Sequence, residues 1–188
     1  YYPEYKAGRR KGREESDLNW DDIFGTLNKI RNEIKENFPY KYLEVFGAEA
    51  DDIIATLCKN LGTANKIMIV SGDKDFIQLQ KYPNVQQYSP ILKKYVNVHD
   101  PITYIKEHIL KGDTSDGIPN VLSPDNTFVD GLRQRPLGRK KIENWLSKDI
   151  DDLNDEVKRN YQRNDKLINL DNVPEILEKV IMDEFTKA

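Results

Sequence analysis

Between Trp20 and Leu79, helix-period apolar text alternates with short apolar runs, and this alternation limits the fold more than any single motif does. In "WDDIFGTLNKIRNEIKENF" the residues Ile23, Phe24, Leu27, Ile30, Ile34 and Phe38 recur at steps of three and four. That spacing predicts an amphipathic helix ending before Pro39. "YKYLEVFG" reads as a short strand closed by Gly47. "EADDIIATLCKNLG" reads as a helix with its stripe at Ile53, Ile54, Leu57, Cys58 and Leu61, ending at Gly62. "KIMIV" is the next strand, "DFIQLQK" a short helix, and "VQQYSPILKKYVNV" two strands around Ser89-Pro90. From Pro101 onward the text is helical, in "PITYIKEHILKG", "GRKKIENWLS" and "PEILEKVIMDEF", the last with Pro in its first turn. Strands alternating with helices predict an α/β fold, a largely parallel central sheet flanked by helices, with a smaller C-terminal helical region.

The 188 residues, 38% of them apolar, suffice for one domain or slightly more with a real core. The single cysteine, Cys58, shares the stripe of its helix and is read as a small core residue, which excludes a disulfide or a thiolate zinc cluster within the chain. No apolar run reaches membrane-span length and no signal-peptide pattern opens the chain, so the expectation is a cytoplasmic protein with no membrane partner.

Acidic residues gather at three element ends. Glu49, Asp51 and Asp52 open a helix, Asp73 and Asp75 follow "KIMIV", and Asp113 and Asp116 in "KGDTSDGIP" follow a helix ending near Lys111. Each cluster alone also satisfies ordinary capping and turn preferences. In an open α/β sheet the carboxyl ends of neighbouring strands share an edge, so the first two clusters are expected to meet. Carboxylates gathered there repel unless cations bind, and oxygen ligands without His or Cys select Mg²⁺ or Mn²⁺. The net charge of −3 hides two basic blocks. Residues 1–13 carry Lys6, Arg9, Arg10, Lys11 and Arg13, and residues 131–142 carry Arg133, Arg135, Arg139, Lys140 and Lys141 without an acid. Basic blocks on an otherwise acidic chain suit local phosphate contacts beside a separate acidic site.

"GAEADDIIATL", "VSGDKDFIQL" and "KGDTSDGIPNV", in this order, resemble the acidic signatures of the 5′-nuclease family, which includes flap endonucleases and the 5′-exonuclease domains of bacterial DNA polymerases. "YPEYKAGRRKGR" resembles the family's helical arch, its Tyr-Lys-x-x-Arg pattern falling on Tyr5, Lys6 and Arg9, and the hairpin text "KYPNVQQYSPILKKYVNV" is similar to the family's phage ribonuclease H branch. The resemblance implies a PIN-like nuclease core over residues 1–100, with the arch at 1–16, and a helical DNA-binding region over 101–188. It implies that Glu49 and Asp51 are core metal-site acids, Asp52 an outer one, Asp73 and Asp75 the pair bridging two metals, and Asp113 and Asp116 the second-metal side. Two or more Mg²⁺ ions, or Mn²⁺ in their place, would then serve in-line phosphodiester hydrolysis, with Lys6 and Arg9 stabilising the scissile phosphate. Tyr5, Lys6, Arg9, Arg10, Arg13, Arg139, Lys140 and Lys141 are the expected nucleic-acid contacts. The expected partners are DNA and RNA-DNA hybrids with a 5′ end or flap, together with a single-stranded-DNA-binding protein and a replication clamp. A monomer is expected, in the host cytoplasm if the gene is a phage's.

Two departures go with the resemblance. The family's first acidic motifs lie before the arch, so an incomplete metal site and an inactive fragment are expected. After "GIPNV" the text lacks the Gly-x-Gly-Pro-Lys turn of a helix-hairpin-helix, so a modified version of that segment, without potassium, is expected. A PIN-type nuclease would need the acidic core but not the arch. A non-catalytic replication accessory would need the basic blocks but not the carboxylates.

Overall fold

A computed structural model describes residues 1–187, the Arg10 side chain excepted. Three strands form its sheet, in the order β1 (Ile67–Val70), β2 (Val85–Ser89), β3 (Lys94–Val96). β1 pairs with β2 in parallel, Ile67 opposite Val85, and β2 pairs with β3 antiparallel, Tyr88 opposite Tyr95. The α/β class and the helical C-terminal region stand as the sequence indicates, but the sheet is small and mixed. A 3-10 helix, Asp75–Lys81, follows β1 and buries Phe76 and Leu79 against Ile69, Val85 and helix α3 (Ala50–Leu61). Cys58 is 1% exposed in this core, and burial pushes its thiol up to about 11, where it is an inert apolar filler. The C-cap of α3 is Gly62, where a Cβ would come 2.4 Å from the Cys58 carbonyl oxygen and 3.0 Å from Val85 Cγ2.

One expectation is corrected. "YKYLEVFG" is an irregular segment with a turn at Phe46-Gly47 and is not a strand. A strand exists through its ladder, and no segment among the described residues pairs with this one. The helix α2 (Trp20–Asn37) forms where predicted, capped by Asn19, whose side chain accepts from the Asp22 N–H at 3.3 Å. Its apolar stripe is nevertheless uncovered, with Phe24, Leu27, Ile30 and Ile34 exposed.

Ahead of it lies α1 (Ala7–Glu14), whose described side chains are exposed. Sparse packing is what the Gly-rich basic text suggests, and it holds for α1 but fails for the residues before it. Tyr2 is buried, its hydroxyl donating to the Gly117 and Asp125 carbonyls at 3.1 and 2.8 Å, and the Lys6 N–H donates to the Asp116 carbonyl at 2.8 Å. The root of the basic segment is therefore anchored on the third acidic loop.

The helix α4 (Pro101–Lys111) starts at Asp100, which accepts from the N–H groups of Ile102 and Thr103. It packs on the 3-10 helix of residues 75–81 and on α6 (Asp155–Ile168), while α7 (Glu175–Lys187) packs on α3 and α5 (Arg139–Leu146) on α4. Sequence periodicity misses α6 because much of its buried face is polar: Asn160, Arg163 and Asn164 are all buried. Arg163 Nη2 and Asn164 Nδ2 both donate to the Pro119 carbonyl at 2.9 Å, and Asn160 Nδ2 donates to that of Val121 at 3.0 Å. These bonds satisfy buried carbonyls just after the third acidic cluster and fix where that loop leaves α4.

Candidate metal and nucleic-acid site

Each acidic cluster sits where a turn sets its direction. Glu49 is the N-cap of α3 with an extended backbone (φ −82°, ψ 164°), while Asp51 is inside the helix. Two helical residues at this spacing would point about 200° apart, and the extended N-cap removes that conflict. Asp52 turns back to accept from the Glu49 N–H at 2.9 Å, so it braces this corner. Asp73 Oδ1 accepts from the Asp75 N–H at 3.0 Å, and buried Gln87 on β2 donates to the Ser71 and Asp73 carbonyls at 2.9 and 2.6 Å. Asp113 follows Gly112, whose φ of 69° and 2.4 Å approach to the Ile118 carbonyl oxygen leave no room for a Cβ. Asp113 Oδ1 then accepts from Ser115 N–H and Oγ at 2.8 and 2.5 Å.

Shared partners link the three clusters on one face. Lys6 Nζ lies 2.6 Å from Glu49 Oε2 and 3.7 Å from Asp116 Oδ2, and Arg9 pairs with Asp116. The Tyr5 hydroxyl lies 3.2 Å from Glu49 Oε2 and 3.3 Å from Asp116 Oδ2. Asp51 is raised by its burial and then by the charges of Asp73 and Glu49. Asp75 is raised to about 6, chiefly by burial, with Asp73, Asp113 and Asp116 adding to the rise and His108 opposing it. Asp113 is held well below the usual carboxylate range, first by His108 and then, against its burial, by Ser115. Burial works against Glu49 ionising, but the Lys6 hydrogen bond and charge outweigh it and lower its pKa. Burial likewise disfavours the Lys6 ammonium, and its partners still lift it to about 12.

The structure thus brings together Glu49, Asp51, Asp73, Asp75, Asp113 and Asp116 with Tyr5, Lys6 and Arg9. A cavity of about 680 Å³ opens beside Asp73, Asp75, Tyr104, His108 and Asp113. The donor set of clustered carboxylates fits a hard divalent cation.

The other basic residues lie elsewhere. Arg13 is exposed on α1, and the Arg10 side chain lies outside the described residues. Arg139, Lys140 and Lys141 open α5 on an exposed surface, Arg139 pairing with Glu143 at 2.8 Å and Lys141 lying over the Trp145 ring. No contact among the described residues joins them to the acidic cluster. Sequence reading missed Gln87 and His108. The sequence signal for His108 was its place in the last turn of the helix that delivers Asp113.

A family model for the 5′-3′ exonuclease N-terminal resolvase-like domain matches residues 1–109. The chain belongs to the 5′-3′ exonuclease family. Within this family it is 35% identical to ribonuclease H of Enterobacteria phage T4 over 98% of its own length, and it spans 63% of that relative. It is 30% identical to flap endonuclease Xni of a Shewanella strain over 64% of its length and 46% of that protein. Among solved structures, a bacteriophage T5 flap endonuclease in a pseudo-enzyme-product complex with DNA and metal ions superposes with a TM-score of 0.69 at 19% identity, covering 98% of this chain and 76% of that one. That likeness shows the fold. No helix among the described residues is long and apolar enough to cross a membrane.

Proposed function

We propose that this chain carries the divalent-metal and nucleic-acid surfaces of a 5′-3′ nuclease that hydrolyses phosphodiester bonds in flaps, duplex DNA or RNA-DNA hybrids near a 5′ end, with Mg²⁺ as its ion and Mn²⁺ as a substitute. The observation that carries this reading is the meeting of Tyr5, Lys6 and Arg9 with Glu49 and Asp116 of the first and third acidic loops, with Asp75 of the middle loop joined to Asp113 through His108. Glu49, Asp51, Asp73, Asp75, Asp113 and Asp116 would hold the ions, and Asp52 supports them from the α3 corner. Bound ions of this kind supply an activated water and charge stabilisation at the leaving oxygen. Lys6 and Arg9 then exchange their carboxylate partners for the scissile phosphate, where ammonium and guanidinium groups stabilise developing charge. Tyr5 offers a donor beside them. Arg10 and Arg13 on α1, and Arg139, Lys140 and Lys141 at the start of α5, hold backbone phosphates without reading sequence. In this reading residues 1–100 act as the core, with 1–16 as the arch, and 101–188 as the helical DNA-binding region.

Cleavage of 5′-labelled flap and RNA-DNA hybrid substrates with Mg²⁺ tests this reading on the full-length protein and its Asp73→Asn variant. The variant is expected to lose cleavage while keeping or tightening DNA binding, since one charge repelling the phosphates is gone. Wild-type rates in the variant would contradict the assigned role of the Asp73-Asp75 pair.

A further inference from the structure

We propose that His108 is a nitrogen ligand in the metal site, next to Asp75, which makes this site more selective for Mn²⁺-like cations over Mg²⁺ than an all-carboxylate site is. The inference rests on the metal reading above and assigns it a ligand of a different chemical kind. One potential ligand atom from each of Asp75, His108 and Asp113 fits within a span of 4.8 Å. His108 Nδ1 is sealed from solvent and has no hydrogen-bond partner, yet it faces Asp75 Oδ1 at 3.6 Å. That separation is too long for a good hydrogen bond. Ligands held about 2.1 Å from an octahedral cation stand roughly 3 Å apart when adjacent and 4.2 Å apart when opposite, so 3.6 Å falls inside the range that a shared cation sets.

The other ring nitrogen, Nε2, lies 3.5 Å from Asp113 Oδ2, so the imidazole stands between the Asp75 and Asp113 carboxylates. Tyr104, one helical turn earlier, meets the ring edge-on at 6.0 Å between centroids. His108 itself stands on α4, whose packing on the 3-10 helix of residues 75–81 sets its distance to Asp75. Among first-row divalent cations imidazole suits Fe²⁺, Ni²⁺ and Zn²⁺, while Mg²⁺ prefers oxygen and gives up water reluctantly, so a nitrogen ligand tilts the site from Mg²⁺ toward the first-row metals.

Electron spin-echo envelope modulation of Mn²⁺ bound at one to three equivalents tests the assignment without an activity assay. Nitrogen modulation is expected in the wild type, retained in His99→Gln and lost in His108→Gln. Selective ¹⁵N labelling of histidine should change its frequency in the unmutated protein, so the result does not depend on a variant folding. Calorimetric titrations should show the Mn²⁺-to-Mg²⁺ affinity ratio falling about tenfold in His108→Gln. Bound Mn²⁺ without nitrogen modulation would overturn the histidine ligand and leave the carboxylate site standing. No Mn²⁺ binding at all would overturn both.

Discussion

The two flanks of the acidic cluster solve the same charge problem in different ways. On the outer flank Glu49 and Asp116, their side chains 53% and 16% exposed, are matched by the cations Lys6 and Arg9, long side chains that reach over from the anchored root of α1. On the inner flank Asp75 and Asp113 are 24% and 19% exposed, and their neighbours are His108 and the donors of their own turns. The protonation balance follows the partners: Glu49 is lowered by Lys6, Asp113 is lowered by His108, and Asp75 alone of these is raised, to about 6, by burial. A cation gains most where charge is buried and under-compensated, so in the proposed metal reading the tighter site is expected beside Asp75.

The largest effect that would separate the flanks is expected from Asp75→Asn. It should lower cleavage by about 10³-fold or more and remove the tightest metal site. In chelator, the same change should stabilise the fold by on the order of 1–2 kcal/mol at pH 7, because it removes an ionised carboxyl that burial disfavours. Urea unfolding of both proteins measures this. Equal or lower stability of the variant would mean that Asp75 carries no such penalty.

Next in size is Lys6→Ala, expected to slow single-turnover cleavage by about 10²-fold while weakening DNA binding far less. It should at the same time tighten metal binding slightly, because Glu49 loses a competing cation. Equal losses in rate and binding would make the outer flank a simple electrostatic surface.

The pH dependence should separate Asp75 from the acids around it. Asp75 has a folded pKa above its unfolded value of 3.8, so the metal-free fold binds the extra proton and loses stability as pH rises from about 4 to 6. Glu49 and Asp113, both lowered, act in the opposite sense and lose their contribution as pH falls through the acid range. Metal affinity should therefore drop about tenfold from pH 7 to pH 5 through Asp75. Calorimetry should find this drop unchanged in Glu49→Gln, and the weaker residual binding of Asp75→Asn should lack it. The smallest effect belongs to Arg139→Ala or Lys140→Ala on α5. These should weaken DNA binding a few-fold with little sequence preference and make the salt slope shallower by about 1.

Where a local rule decided the structure, the sequence was readable. Asn19, the Asp100-Pro101 pair and Gly138 mark helix starts, and the acids after Gly47, Val70 and Lys111 mark loop corners. Where the partner decided, it was not. The segment 40–47 has strand-like text but no ladder partner among the described residues, so its pattern alone misleads. The helix α6 hides because Asn160, Arg163 and Asn164 are buried by hydrogen bonding and not by apolar character. His108 shows the same limit at the site. Nothing in its neighbours announces Asp75, and the pair forms only once α4 docks on the 3-10 helix of residues 75–81.

Anomalous scattering from crystals grown with Mn²⁺ tests the central claim most directly, because it locates each ion against the side chains without relying on activity. The account predicts a strong peak on the inner flank, bounded by Asp75, His108 and Asp113, and a weaker one toward Asp51, Asp73 and Glu49. A strong peak on the Glu49 side with the inner flank empty, or no peak near these acids, would contradict it.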